Sequence, residues 1–204
     1  MRRAGPLREK GVGMAESVCR CGSIQLASTD RRQALCAALC AAGFFSSLPR
    51  QAFAEARQMA PLPEDEAFMR MALAEAAKGD FPFGAVIVRE SEVLAKGRNL
   101  GKTNNDPTAH GEMVAIRNFV AERPAQEFAK TTLYTSGEPC AMCIRAIIWC
   151  GIARVVFAAS IEELATRIGQ IMLASRTVAD AAPFADIAIT GGVLSSEALA
   201  LFPK

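Results

Sequence analysis

One histidine, His110, occurs in 204 residues, so no second imidazole is available to any metal-ligand set. No apolar run reaches the roughly 20 residues of a stable membrane span. The best candidate, residues 34–48, is rich in Ala and Gly and is interrupted by Ser46 and Ser47, which argues against a membrane anchor. Collagen-like, low-complexity and disordered compositions are absent, and no internal repeat is visible. A large charge excess is lacking too: the formal net charge is +2. It is unevenly spread, with 8 Lys/Arg against 3 Asp/Glu in residues 1–54, leaving 15 against 18 in the rest. A protein that binds a polyanion usually carries the opposite sign, so nucleic acid is not the expected partner. Three of the seven cysteines, Cys140, Cys143 and Cys150, lie in the second part, an odd number that excludes a disulfide framework there.

What is present is 51% hydrophobic content, enough for one domain of ordinary size plus additional chain. The additional chain is residues 1–54. Arg31-Arg32, the modest apolar run of 34–48 and Ala52-Phe53-Ala54 follow the order of a twin-arginine export signal with its cleavage pattern. The expectation is an exported, periplasmic protein whose domain spans 55–204. If the segment is not a working signal, the chain is cytoplasmic and the arginines belong to a buried helix. Met14 is an alternative start to Met1.

Downstream of Pro63 the pattern predicts a helix with an acidic first turn and a stripe of Phe68, Met71, Ala72 and Leu73, stopped by Gly79. The stretch GAVIVRESEVLAKGRN reads as a hairpin. Asp106-Pro107 supplies an N-cap and a first-turn proline for a helix running to about Arg123. Beyond it, TTLYT, RVVFAA and DIAIT read as strands. They alternate with a helix over CAMCIRAIIWC ended by Gly151, another from about Ile161, and a last one capped by Ser195. This alternation predicts an α/β layer structure, mostly parallel beyond the hairpin.

Cys140 and Cys143 follow Pro139 at a helix start, which places two thiols on one side of a first turn. Helix N-termini favour thiolates. Alone, Cys-x-x-Cys fits a thiol oxidoreductase or half of a structural zinc site. His110 stands 30 residues earlier, also at a helix start, with one strand between, so three zinc-type ligands can converge. Three protein ligands plus water is the catalytic arrangement, four the structural one, and Cys150 is not excluded as a fourth by spacing alone. Glu112 does not share a helix face with His110. Both reach one centre only if it lies beyond the helix end, where first-turn side chains lean. A carboxylate there can move a proton from a zinc-activated water to a leaving amine. The plainer reading of Glu112 is a solvated first-turn acid.

His110-Gly111-Glu112 followed, after 26 intervening residues, by Pro139-Cys140-Ala141-Met142-Cys143 resembles the zinc-dependent cytidine/nucleobase deaminase superfamily. The similarity runs from roughly Glu64 to Ala159 and looks closest to the guanine deaminase and tRNA adenosine deaminase branch. It implies a three-layer α-β-α sandwich on a five-stranded mixed sheet. It also implies a Zn2+ site of His110, Cys140 and Cys143, Glu112 as proton shuttle, and hydrolytic deamination of a small base or nucleoside, with adenosine editing in tRNA as the alternative. Asn99, Phe83, Gly84, Ala85, Gly111 and Trp149 are the implied substrate-binding positions, and a homodimer the implied assembly. Four features depart from the branch: residues 166–173, TRIGQIML, put Gln170 in the neighbourhood where guanine deaminases carry acidic residues, the final LALFPK lacks their aromatic tail, Gly111 replaces the more common alanine, and Arg145 stands where a small residue is usual.

Overall fold

The computed structural model describes residues 57–203. Residues 1–54, the expected export segment, lie outside the described residues. A mixed sheet of six strands forms the middle layer: β1 (Arg57–Gln58), β2 (Gly84–Arg89), β3 (Glu92–Arg98), β4 (Thr132–Gly137), β5 (Arg154–Ala159) and β6 (Ala188–Thr190), in the order β1-β6-β5-β4-β2-β3. Strand β2 is antiparallel to both β3 and β4, whereas β4, β5, β6 and β1 run parallel. The sixth strand is a correction to the expected five. Two residues suffice for β1, because the Arg57 and Met59 amides reach the Ile187 and Ile189 carbonyls of an otherwise open edge.

Six helices cover the sheet: α1 (Asp65–Ala76), α2 (Gly111–Glu122), α3 (Ala141–Cys150), α4 (Ile161–Ala165), α5 (Ser175–Asp180) and α6 (Ser195–Leu199). Strand alternation divides the core between the two sides. On β2, Ala85 and Ile87 face the layer of α2, α3 and α5, packing with Ala115, Phe119, Ile144 and Ala179. Val86 and Val88 face the layer of α1 and α6, with Phe68, Met69, Ala72 and Ala198. Met69, fully buried, completes the α1 stripe in place of Met71, which is exposed. The buried positions 68, 69, 72, 73 and 76 recur at the helical period, and Met71 falls outside that arc.

Two helix starts differ from expectation. Helix α2 begins at Gly111 with His110 as N-cap, not at Asp106. The Asp106 carboxylate accepts from the Thr108 amide and hydroxyl, at 2.8 and 2.6 Å, and so closes a turn four residues early. Ser195 lies inside α6, not before it; Leu194, at φ 59°, is the N-cap, and the Ser195 hydroxyl donates to Glu163 at 2.8 Å. Helix α3 ends as expected at Gly151, whose φ of 73° suits a residue without a Cβ.

Registers decide where a site can form. Gly84 pairs with Arg98 and Ala85 with Thr135, so the start of β2, the end of β3 and the end of β4 meet at one sheet edge. The connection from β3 to α2 and the turn from β4 to α3 both leave from that edge.

Candidate active site

The two helix starts at this edge carry the chemistry. His110 is the N-cap of α2 and Cys140 the N-cap of α3, both with extended backbone, at φ/ψ of −67°/158° and −62°/168°. Cys143, fully buried, sits one turn into α3. The Cys140 and Cys143 sulfurs are 3.7 Å apart, and His110 Nδ1 is 3.7 Å from the first and 3.6 Å from the second. Both cysteines are free thiols. A tetrahedral ion with Zn–S of about 2.3 Å and Zn–N of about 2.0–2.1 Å demands S···S near 3.8 Å and S···N near 3.5 Å. The triangle has those edges, so the residues fit zinc. Cys150 is not part of the triangle; as the last residue of α3 it packs against the core.

Protonation within the cluster follows from crowding. The Cys143 thiol, with His110 close by, holds Cys140 down to about 4, against the resistance of burial. Cys143 itself is pushed up by Cys140 and by burial. His110 is raised by Cys140 and, less, by the Glu112 carboxylate. Three groups thus share protons that a bound cation displaces.

Glu112 is the second residue of α2, only 3% exposed. Burial raises its carboxyl. It faces a cavity of about 640 Å3 whose lining includes His110, Cys140, Phe83, Asn99, Glu138 and Gln170. The volume suits a small organic molecule. The difficulty of residues two apart is resolved as geometry requires: the site is off the tip of α2, so the solvated-acid reading of Glu112 does not describe it.

Asn99 is buried just beyond β3, where its Oδ1 accepts from the Gly101 amide at 3.0 Å. It therefore both closes a turn and lines the cavity. Phe83 packs edge-on against Phe202 at 5.2 Å between ring centres. Gly84 and Gly111 lie behind the wall. A Cβ on Gly84 would stand 2.2 Å from the Ala76 nitrogen, and one on Gly111 2.9 Å from the Phe83 carbonyl oxygen. Glycine at 84 thus allows β2 to approach α1, and glycine at 111 allows α2 to approach residues 83–84.

Of the six implied substrate positions only Phe83 and Asn99 line the cavity; besides Gly84 and Gly111 behind its wall, Ala85 and Trp149 are not brought to it. Ala85 is fully buried on the opposite side of β2 from Val86, within the core. Trp149 is 77% exposed and stacks on Phe184 at 5.1 Å, beside a separate groove that Arg145 also lines. Six residues beyond Cys143 is about 240° around the helix, which turns Trp149 away from the metal triangle. Conversely, Phe81, Glu138 and the stretch 168–171 line the cavity without having been assigned a place in it. Two of them carried a signal: Glu138 adjoins Pro139-Cys140, and residues 166–173 were singled out as a departure from the branch at Gln170.

Comparison with known proteins agrees with this arrangement. Residues 62–159 match the family described as cytidine and deoxycytidylate deaminase zinc-binding region. The guanine deaminase of Bacillus subtilis is 41% identical over 105 residues, which cover 49% of this chain and 67% of that protein. A tRNA-specific adenosine deaminase of Buchnera aphidicola is also 41% identical, over 49% of this chain and 64% of its own length. The chain thus spans about two thirds of these relatives. The solved guanine deaminase of Nitrosomonas europaea is 27% identical with a TM-score of 0.58, covering 74% of this chain and 87% of that one. The chain belongs to the zinc-binding cytidine and deoxycytidylate deaminase family.

Proposed function

We propose that the chain is a zinc-dependent hydrolase that deaminates a free nucleobase or nucleoside: water adds at the amino-bearing ring carbon, and ammonia leaves. The observation that carries this reading is one cavity holding both a zinc-shaped donor triangle and the buried Glu112 carboxylate. His110, Cys140 and Cys143 would hold the ion, which supplies, when bound, an open position for activating water. Glu112 accepts a proton from the attacking water and returns it to the departing amine, a task suited to a carboxyl raised by burial. Asn99 and Phe83 bound the space for the ring, the first offering an amide to its edge and the second an apolar face. A thiol oxidoreductase would use Cys140 and Cys143 but leave His110 and Glu112 without a task.

The relatives favour a purine. Within the family, editing of adenosine in tRNA is the second reading, supported by the tRNA-specific relative. The acidic balance of the body, 15 Lys/Arg against 18 Asp/Glu, weighs against it. Ammonia release from guanine, adenine, cytosine, their nucleosides and a tRNA anticodon stem-loop, with Glu112→Ala as control, separates these readings. No release from any of them, or equal rates in the two proteins, would refute the deaminase assignment.

We further propose that residues 1–54 direct export to the periplasm through Arg31-Arg32 and are removed after Ala54. N-terminal sequencing of the mature protein should begin at Glu55; an intact leader in the cytoplasm argues the reverse. A homodimer is proposed as the assembly, with the exposed Trp149–Phe184 pair as its contact. Sedimentation should then show Trp149→Glu as a monomer. Among the described residues no helix is long and apolar enough to cross a membrane.

A further inference from the structure

Glu138 has no part in the chemistry above, yet it is buried, lines the cavity and stands two residues before Cys140. Its amide donates to the carbonyl of Ala159, the last residue of β5, at 2.7 Å. Its carboxylate gathers two remote points of the chain. Oε2 accepts from the Ile161 amide at 3.0 Å, and Oε1 accepts from the Ser175 amide and the Ser175 hydroxyl, each at 2.7 Å. Ser175 is fully buried.

Between those two points the chain forms α4 and then residues 166–174, which have no helix or strand. This irregular stretch supplies Ile168, Gly169, Gln170 and Ile171 to the cavity wall. Ile171 and Met172 are 68% and 62% exposed, so little apolar burial secures the outer part of the wall. A segment such as 161–175, short helix and loop together, held at both ends by one carboxylate loses much of its freedom, and hydrogen bonds to carboxylates are among the stronger ones. Because the same carboxylate belongs to the turn that carries Cys140, the wall is referenced to the metal triangle and not merely to the sheet.

We propose that Glu138 is a positioning residue that fixes wall 168–171 relative to the metal ligands, and thereby sets which ring substituents the cavity accepts. This rests on the deaminase reading. Glutamine at 138 tests it with little change of shape. Its amide oxygen can keep Ser175, but its NH2 then faces the Ile161 N–H, donor against donor. Ser175→Ala removes only the hydroxyl bond and alters no residue of the cavity lining.

The zinc-loaded full chain, Glu138→Gln and Ser175→Ala are compared by amide hydrogen exchange and by steady-state kinetics on two purines that the wild type accepts. In Glu138→Gln, exchange at Ile161 and Ser175 should rise about tenfold or more, with zinc still one per chain. KM should rise about tenfold with kcat within about threefold, and the kcat/KM ratio of the two purines should shift. Ser175→Ala should move in the same direction, less far. Unchanged exchange over 161–175, or raised exchange with unchanged KM and ratio, overturns the proposal. So does loss of zinc with kcat falling and KM constant, which would make Glu138 a support of the metal turn alone. Exchange at Ile161 and Ser175 is read whether or not any base is turned over, so failure of the deaminase reading is distinguishable from failure of this one.

Discussion

At the scale of single residues, the most consequential side chain is Glu112, because a buried carboxylate beside a metal triangle has few structural reasons to exist. Replacing it with alanine removes no hydrophobic contact of the core clusters. Deamination by Glu112→Ala should therefore fall by about 10²–10⁴-fold, the usual worth of a positioned general base, with zinc content unchanged by metal analysis. Cys143→Ser is expected to behave oppositely, with zinc lost along with rate, since the fully buried sulfur is one corner of the triangle. His110, Glu112, Cys140 and Cys143 were legible as candidates, because their residue types and the family motif they resemble point to one chemistry, although spacing alone left Cys150 and a solvated Glu112 open. Ala85 and Trp149 could not. Whether a residue near a motif faces the cavity depends on strand alternation and helix phase, not on nearness in sequence.

Two close approaches set α1 and α2 beside the site, and one buried ion pair ties α1 to the sheet at the opposite end of β5. Gly84 lets β2 lie against the backbone of α1, where a methyl group would stand 2.4 Å from the Ala72 carbonyl oxygen. Gly84→Ala should cost about 1–3 kcal/mol, read as a lower denaturant midpoint, and should raise KM by displacing neighbouring Phe83. Asp65 at the head of α1 is bound by Arg154 of β5 through two hydrogen bonds of 2.7 and 2.6 Å, and by the Tyr134 hydroxyl of β4 at 3.0 Å. Burial pushes the Asp65 carboxyl up, but Arg154, the Leu62 amide and Tyr134 together bring it below its usual 3.8. A carboxyl depressed by folding stabilises the fold fully above its unfolded pKa, and that contribution disappears as pH falls through the lower folded value. The stability difference between wild type and Asp65→Asn should accordingly be flat above pH 5 and shrink below about 3.8. A difference constant down to pH 2 would contradict the linkage. The hairpin, α3 and β5 were legible from period and turn residues. The start of α2 was not, because Asp106-Pro107 satisfies the local rule for a helix cap and also for a turn.

For the whole molecule, the fold brings two helix tips from different parts of the chain to one sheet edge, so ligand binding and folding are linked. Removing zinc with a chelator should lower the thermal midpoint by several degrees, and adding zinc should restore it. An unchanged midpoint would mean that the folded chain binds no zinc in preference to the unfolded one. Cys150, a free thiol among the described residues whose pKa burial raises, offers an internal control, since its slow reaction with thiol reagents should be the same with and without zinc while that of Cys140 and Cys143 changes.

By itself the sequence determined the α/β alternation, which resides in periodicity, and offered His110, Cys140, Cys143 and Glu112 as candidates whose roles the family resemblance implied while spacing alone left alternatives open. Only the tertiary structure decided that His110 and Cys140 are both N-caps at one edge and that the triangle has the edges of a zinc tetrahedron. It also decided that residues 168–171 line the cavity, and that the Glu138 carboxylate bonds to Ile161 and Ser175 on either side of them. The physical reason is that such contacts join residues tens of positions apart, and no local propensity records a distance across the sheet.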